Sequence, residues 1–144
     1  MSCVILLAAD HPMPLFDPEL GRIDTLQVEG STVTMETPGF SIQPHAYYRE
    51  AVEELGLNIK PWQYELNVEA REDEAALLRD YLHKHGIPGE QVELWNLWVG
   101  EDRGETVPCY RGRLADLDSH ALDLLCNPPM EQDGPGQCRM IVTI

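Results

Sequence analysis

The stretch that most constrains this chain is residues 62–99, where two runs of strand character flank fourteen or so residues of helical character. In the first run Trp62, Tyr64, Leu66 and Val68 alternate with Gln63, Glu65, Asn67 and Glu69, the period-two pattern of a strand with one buried and one wet face. Residues 71–85 then switch to helical period. Their first turn is acidic (Glu72, Asp73, Glu74) and their last basic (His83, Lys84, His85), a distribution that complements the helix dipole, and Gly86 and Pro88 stop the helix. Residues 91–99 return to strand. A strand, a helix and a strand within forty residues identify a compact α+β domain.

The rest of the chain extends this unit. Val4 to Ala9 is continuously apolar, as strands buried on both faces are, and so predicts a central core strand. Prolines 12, 14 and 18 make the following segment a loop. Residues 25–29 and 32–37 alternate on either side of Gly30 and Ser31 and predict a β-hairpin with a polar outer face, closed by Pro38 and Gly39. Tyr48, Ala51, Val52 and Leu55 recur at helical spacing, so a first helix is expected over 46–55, ended by Gly56. The charged segment 100–105 predicts a turn into a strand over 106–110. Leu114, Leu117, Ala121, Leu124 and Leu125 predict a third helix, with Asp116, Asp118 and Ser119 as alternative N-caps. Residues 126–137, with Pro128, Pro129, Gly134, Pro135 and Gly136, predict a mobile loop before a terminal strand over 138–144.

Taken in order, residues 62–144 read strand, helix, strand, strand, helix, strand. That order resembles the ferredoxin-like βαββαβ arrangement of two split crossovers on an antiparallel sheet, to which the N-terminal strand, hairpin and helix would be additions. The resemblance implies an α+β fold and no activity. At 144 residues, with 43% apolar and 24% charged residues, one domain spanning 1–144 with a single core is expected.

Charge and composition exclude several functions. Acidic residues outnumber basic ones 25 to 10, a formal charge of -15, and no basic cluster larger than Arg111 with Arg113 offsets it, so nucleic acid is not an expected partner. The apolar run at 3–9 is too short to span a bilayer and has no positive residues before it, so neither a membrane partner nor export is expected and the predicted compartment is the cytoplasm. There Cys3, Cys109, Cys126 and Cys138, none in a CxxC pair, are expected as free thiols, and no metal or other cofactor is predicted. A disulfide closing the 126–138 loop is the alternative for two of them. No GxSxG, phosphate-cradling glycine loop or GxGxxG occurs, and Pro135 denies Gly134 and Gly136 an anion nest.

Two sets of residues remain as functional candidates. Asp10 and His11 lie where the apolar strand runs into the proline-stiffened loop, and His45 follows Pro44; together they are candidates for a ligand or catalytic pocket, with hydrogen bonding to the turn and capping of the helix start as the structural alternatives. Trp62, Trp95 and Trp98 lie on the two strands that flank the second helix. Residues 92–99 are apolar on both faces, so the face carrying Trp95 needs cover from the N-terminal residues, a second subunit or a ligand. The sequence favours a non-catalytic association module, acting through this aromatic face as a homo-oligomer or with another protein. The alternative is a small-ligand protein or enzyme with a pocket near Asp10, His11 and His45.

Overall fold

A computed structural model of the protein describes residues 2–17, 22–37, 39–99, 107–130 and 136–144. The chain runs β1 (Ser2–Ala9), β2 (Arg22–Val28), β3 (Ser31–Thr37), β4 (Ser41–Pro44), α1 (Arg49–Glu53), β5 (Trp62–Asn67), α2 (Glu72–His85), β6 (Gln91–Val99), β7 (Cys109–Arg113), a 3-10 turn (Leu114–Asp116), α3 (Ser119–Cys126) and β8 (Cys138–Thr143). Six strands form one open sheet in the order β4-β5-β1-β6-β8-β7, antiparallel throughout except for the β7/β8 pair. The hairpin β2/β3 is a separate two-stranded sheet, turned by Glu29 and Gly30, both at positive φ.

The α+β class is that expected, but the strand order is not ferredoxin-like. The crossover β5-α2-β6 is split, as predicted, yet the strand lying between its arms is β1: Leu6 sits opposite both Glu65 and Trp95. The second crossover is not split, because β7 lies directly beside β8 and parallel to it, from Cys109 opposite Arg139 to Arg113 opposite Thr143. Side-chain chemistry accounts for the first difference. A strand whose two faces are Ile5, Leu7, Ala9 and Val4, Leu6, Ala8 leaves least apolar surface exposed at the centre of the sheet, so β1 is its core rather than an addition to it.

Each sheet face carries its own layer. On one, Ala75, Leu78, Tyr81 and Leu82 of α2 and Leu122 and Leu125 of α3 pack on Leu7, Ile42, Leu66, Leu94 and Met140. Asp118 is the N-cap of α3, its carboxylate accepting from Ala121 N at 3.0 Å. On the other, Tyr48, Ala51, Val52, Leu55, Leu57 and Ile59 cover Val4, Leu6, Ala8, Trp95, Leu97 and Val99. The first helix is only one turn and a half long, so much of this cover is the irregular chain that follows it. Segment 13–16 straps the outer edge of the sheet: Phe16 and Ile42 exchange backbone hydrogen bonds, Met13 N donates to the Tyr64 hydroxyl at 2.8 Å, and Tyr81 donates to the Pro14 carbonyl at 2.5 Å.

Pro18, Pro38, the predicted turn at 100–105, Thr106, Gly134 and Pro135 lie outside the described residues. No helix among the described residues is long and apolar enough to cross a membrane.

Candidate functional site

Asp10, His11 and His45 do not form one site. Asp10 accepts from Lys60 Nζ at 2.6 Å and lines a polar cleft of about 300 Å3 beside Glu93 and Arg139. His11 turns to the other neighbouring segment. Its Nε2 lies 2.8 Å from Glu90 Oε1 and its Nδ1 lies 3.0 Å from the Pro12 carbonyl. Two acceptors on two ring nitrogens favour the imidazolium, and the Glu90 carboxylate, followed by the Pro12 carbonyl, raises the His11 pKa above its ordinary value. His11 is thus a clasp between the end of β1 and the turn before β6, where Glu90 Oε1 also accepts from Ile87 N.

The tryptophans separate as well. Trp95 is only 3% exposed and belongs to the core under residues 48–59, so the face expected to serve association is covered by the chain itself. Its indole N–H donates to Glu93 Oε1 at 3.3 Å and the Arg139 guanidinium lies 5.2 Å from its ring centre. Trp98 is half-buried and its indole N–H donates to the Gly136 carbonyl at 3.1 Å, which ties β6 to the approach of β8. Trp62 alone keeps an open ring, 45% exposed.

Glu93, which sequence reasoning passed over, is the buried charge of the polar cleft. It is 1% exposed and accepts from Lys60 N at 2.9 Å, from Arg139 Nε at 2.9 Å and also from Arg139 Nη2. With Trp95 Nε1 its oxygens are fully used, which makes this cluster an interlock of β6, β8 and the 59–61 turn. Its signal in the sequence is a carboxylate on the same strand face as Trp95, Leu97 and Val99.

His45 differs from every other polar group described so far. Pro44, which has no N–H to donate, ends the edge strand β4, and the chain continues through the buried His45 toward α1. The residue is 5% exposed, and neither ring nitrogen has a hydrogen-bond partner among the described residues. It does not cap the helix: Tyr48 occupies the N-cap position and no side chain accepts there. Burial, and then the nearby positive charge of Arg49, lower its pKa below the ordinary imidazole value, so the ring is neutral near pH 7 and presents one donor and one acceptor. Leaving such groups unpaired costs about 1–3 kcal/mol.

The ring borders a cleft of about 580 Å3. Trp62 and Tyr64 of β5, Pro44, Pro61 and Leu15 of the strap line it beside His45, and Arg49 and Gln63 add polar groups. The size is that of small-molecule sites, and a mostly apolar lining with a few polar groups is their usual composition. Sequence reasoning found His45 and Trp62 but placed them in different sites; Leu15, Arg49 and Gln63 gave no signal, since their meeting depends on β4 pairing with β5.

The thiols are free, and Cys126 and Cys138 are not bonded to each other. Burial pushes both up to about 11, so neither is a poised nucleophile. Among the described residues no group of three or more His, Cys, Asp or Glu side chains is placed to hold a metal ion. No protein-family model, curated protein or solved structure matches the chain.

Proposed function

We propose that the protein binds a small organic ligand in the cleft bordered by His45 and Trp62. The supporting observation is that the imidazole lining this cleft has both nitrogens unpaired and closed to solvent, so that a ligand engages them by drawing the ring outward. A fold gains nothing by burying an unpaired polar ring where a leucine would pack, so the cost is intelligible when a ligand supplies the missing partners. Trp62 supports the same reading: a large aromatic left 45% exposed at the cleft offers a flat apolar contact.

The test is a fragment screen followed by NMR of side chains labelled in the imidazole and indole rings. Bound fragments are expected to shift the His45 ring and the Trp62 indole N–H while leaving Trp95 in place. A diverse library with no hit that moves either group removes the proposal.

A second reading, association with another copy or another protein, keeps one observation in its favour. Leu15, Phe16, Tyr47 and Trp62 are exposed by 56%, 36%, 85% and 45%, and Leu15 and Trp62 line this same cleft. Under that reading sedimentation of the wild type shows a dimer that Trp62→Ala dissociates. A wild-type monomer at all concentrations leaves the ligand site as the use of the cleft.

A further inference from the structure

We propose that the ligand of this cleft is a small organic acid with a flat apolar body, its carboxylate at the His45 and Arg49 end and its ring against Trp62; this rests on the cleft being a ligand site. Three features select that chemistry. The polar side chains of the lining can donate: the Arg49 guanidinium, the Gln63 amide, which already gives one hydrogen to the Lys60 carbonyl at 3.1 Å, and the His45 imidazole, whose unpaired nitrogens are closed to solvent until the ring turns outward. Among the described residues Arg49 is the one charged side chain of the lining, and no Asp or Glu belongs to it. Its Nε is engaged by Glu53 one helical turn away at 3.3 Å, a long contact between side chains that are 66% and 65% exposed, which a better-placed carboxylate can displace.

The apolar part of the lining sets the body of the ligand. Leu15, Pro44, Pro61 and Trp62 are its apolar members, and rings stack on indole with little loss of freedom. The volume, about 580 Å3, accommodates one or two fused rings. The overall charge of -15 opposes anions at long range, but beyond roughly 10 Å it is screened at 0.1 M salt, so the local balance of Arg49 and its partner Glu53 governs, and it turns positive toward a ligand that displaces Glu53.

The experiment is isothermal calorimetry with 2-naphthoate, its neutral amide 2-naphthamide, and acetate, on the wild type, His45→Phe and Arg49→Gln, each variant first checked by circular dichroism. Naphthoate is expected to bind the wild type at least ten-fold more tightly than naphthamide, and far more tightly than acetate. Arg49→Gln, on an exposed position that does not endanger folding, is expected to weaken naphthoate about 10- to 100-fold and to leave naphthamide unchanged, the range for hydrogen bonds to charged groups. His45→Phe is expected to weaken both. If naphthamide binds as well as naphthoate, and Arg49→Gln is silent while His45→Phe weakens both, the acid is refuted and the ligand cleft stands. If neither aromatic binds, and His45→Phe only stabilises the fold, both the acid and the cleft are refuted.

Discussion

Truncating Trp95 to alanine separates a core tryptophan from an interface tryptophan. The side chain is 3% exposed and packs under Tyr48, Ala51, Val52 and Leu55, and its ring lies beneath Arg139, whose guanidinium holds the buried Glu93. Trp→Ala in such a site costs about 3–5 kcal/mol through lost transfer energy and the cavity left behind, and the loss of the indole donor to Glu93 falls within that range. For a chain of 144 residues each kcal/mol moves the melting temperature by about 3 °C, so Trp95→Ala is expected to melt about 12 °C lower than wild type. Trp95→Phe, which keeps most of the ring and removes the N–H, is expected to cost about 1 kcal/mol, and Trp62→Ala, at a half-open position, no more than that. Calorimetric melts paired with sedimentation equilibrium provide the assay. A variant that changed its sedimenting mass while its melting temperature stayed within about 2 °C of wild type would place Trp95 in a subunit contact and refute the packing described above.

Three further outcomes follow from particular groups. His45→Phe, tested without ligand, is expected to raise stability by about 1–3 kcal/mol, since it removes an unpaired buried ring; a lower urea midpoint would show that the imidazole has a structural partner. The two histidines respond to pH in opposite senses. The raised pKa of His11 means that its contribution is fully present below about pH 6.5 and is lost as pH rises through its folded pKa, an effect that Glu90→Gln abolishes; the lowered pKa of His45 means that stability is lost as pH falls from about 6.5 through its folded pKa, an effect that His45→Phe abolishes, and urea titrations from pH 5 to 9 read both. Gly86→Ala is expected to destabilise by about 1–3 kcal/mol, because a Cβ there would lie 2.7 Å from the Leu82 carbonyl oxygen and meet Ile144 Cδ1, and a melt indistinguishable from wild type would show that the end of α2 can yield.

What the sequence discloses here is local. The alternation of 62–67 and the helical period of 72–85 report short-range chemistry and appear as β5 and α2 within a residue or two. The hairpin turn at Glu29 and Gly30 is likewise a property of two residues. Strand order is not: the apolar run of β1 announces a central position, but which strands flank it depends on partners some 60 and 90 residues away. The same holds for the cleft. His45 is visible as a polar residue after a proline, whereas its lack of partners and its proximity to Trp62 exist only once β4 lies beside β5 and the strap is pinned by Tyr64 and Tyr81. The burial of Trp95 depends on residues 48–59, whose irregular second half carries no periodic signal to show which face it covers.

The place of β1 bears on how the chain is made. This strand is among the most water-averse segments of the chain, and both of its eventual neighbours are synthesised after it, the second ending at Val99. At 5–20 residues per second, roughly 5–20 s pass before that neighbour exists, and the nascent strand spends this interval with its hydrogen-bonding edges unmet. Slow, late-stage closure of the sheet is the kinetic counterpart of its long-range pairing.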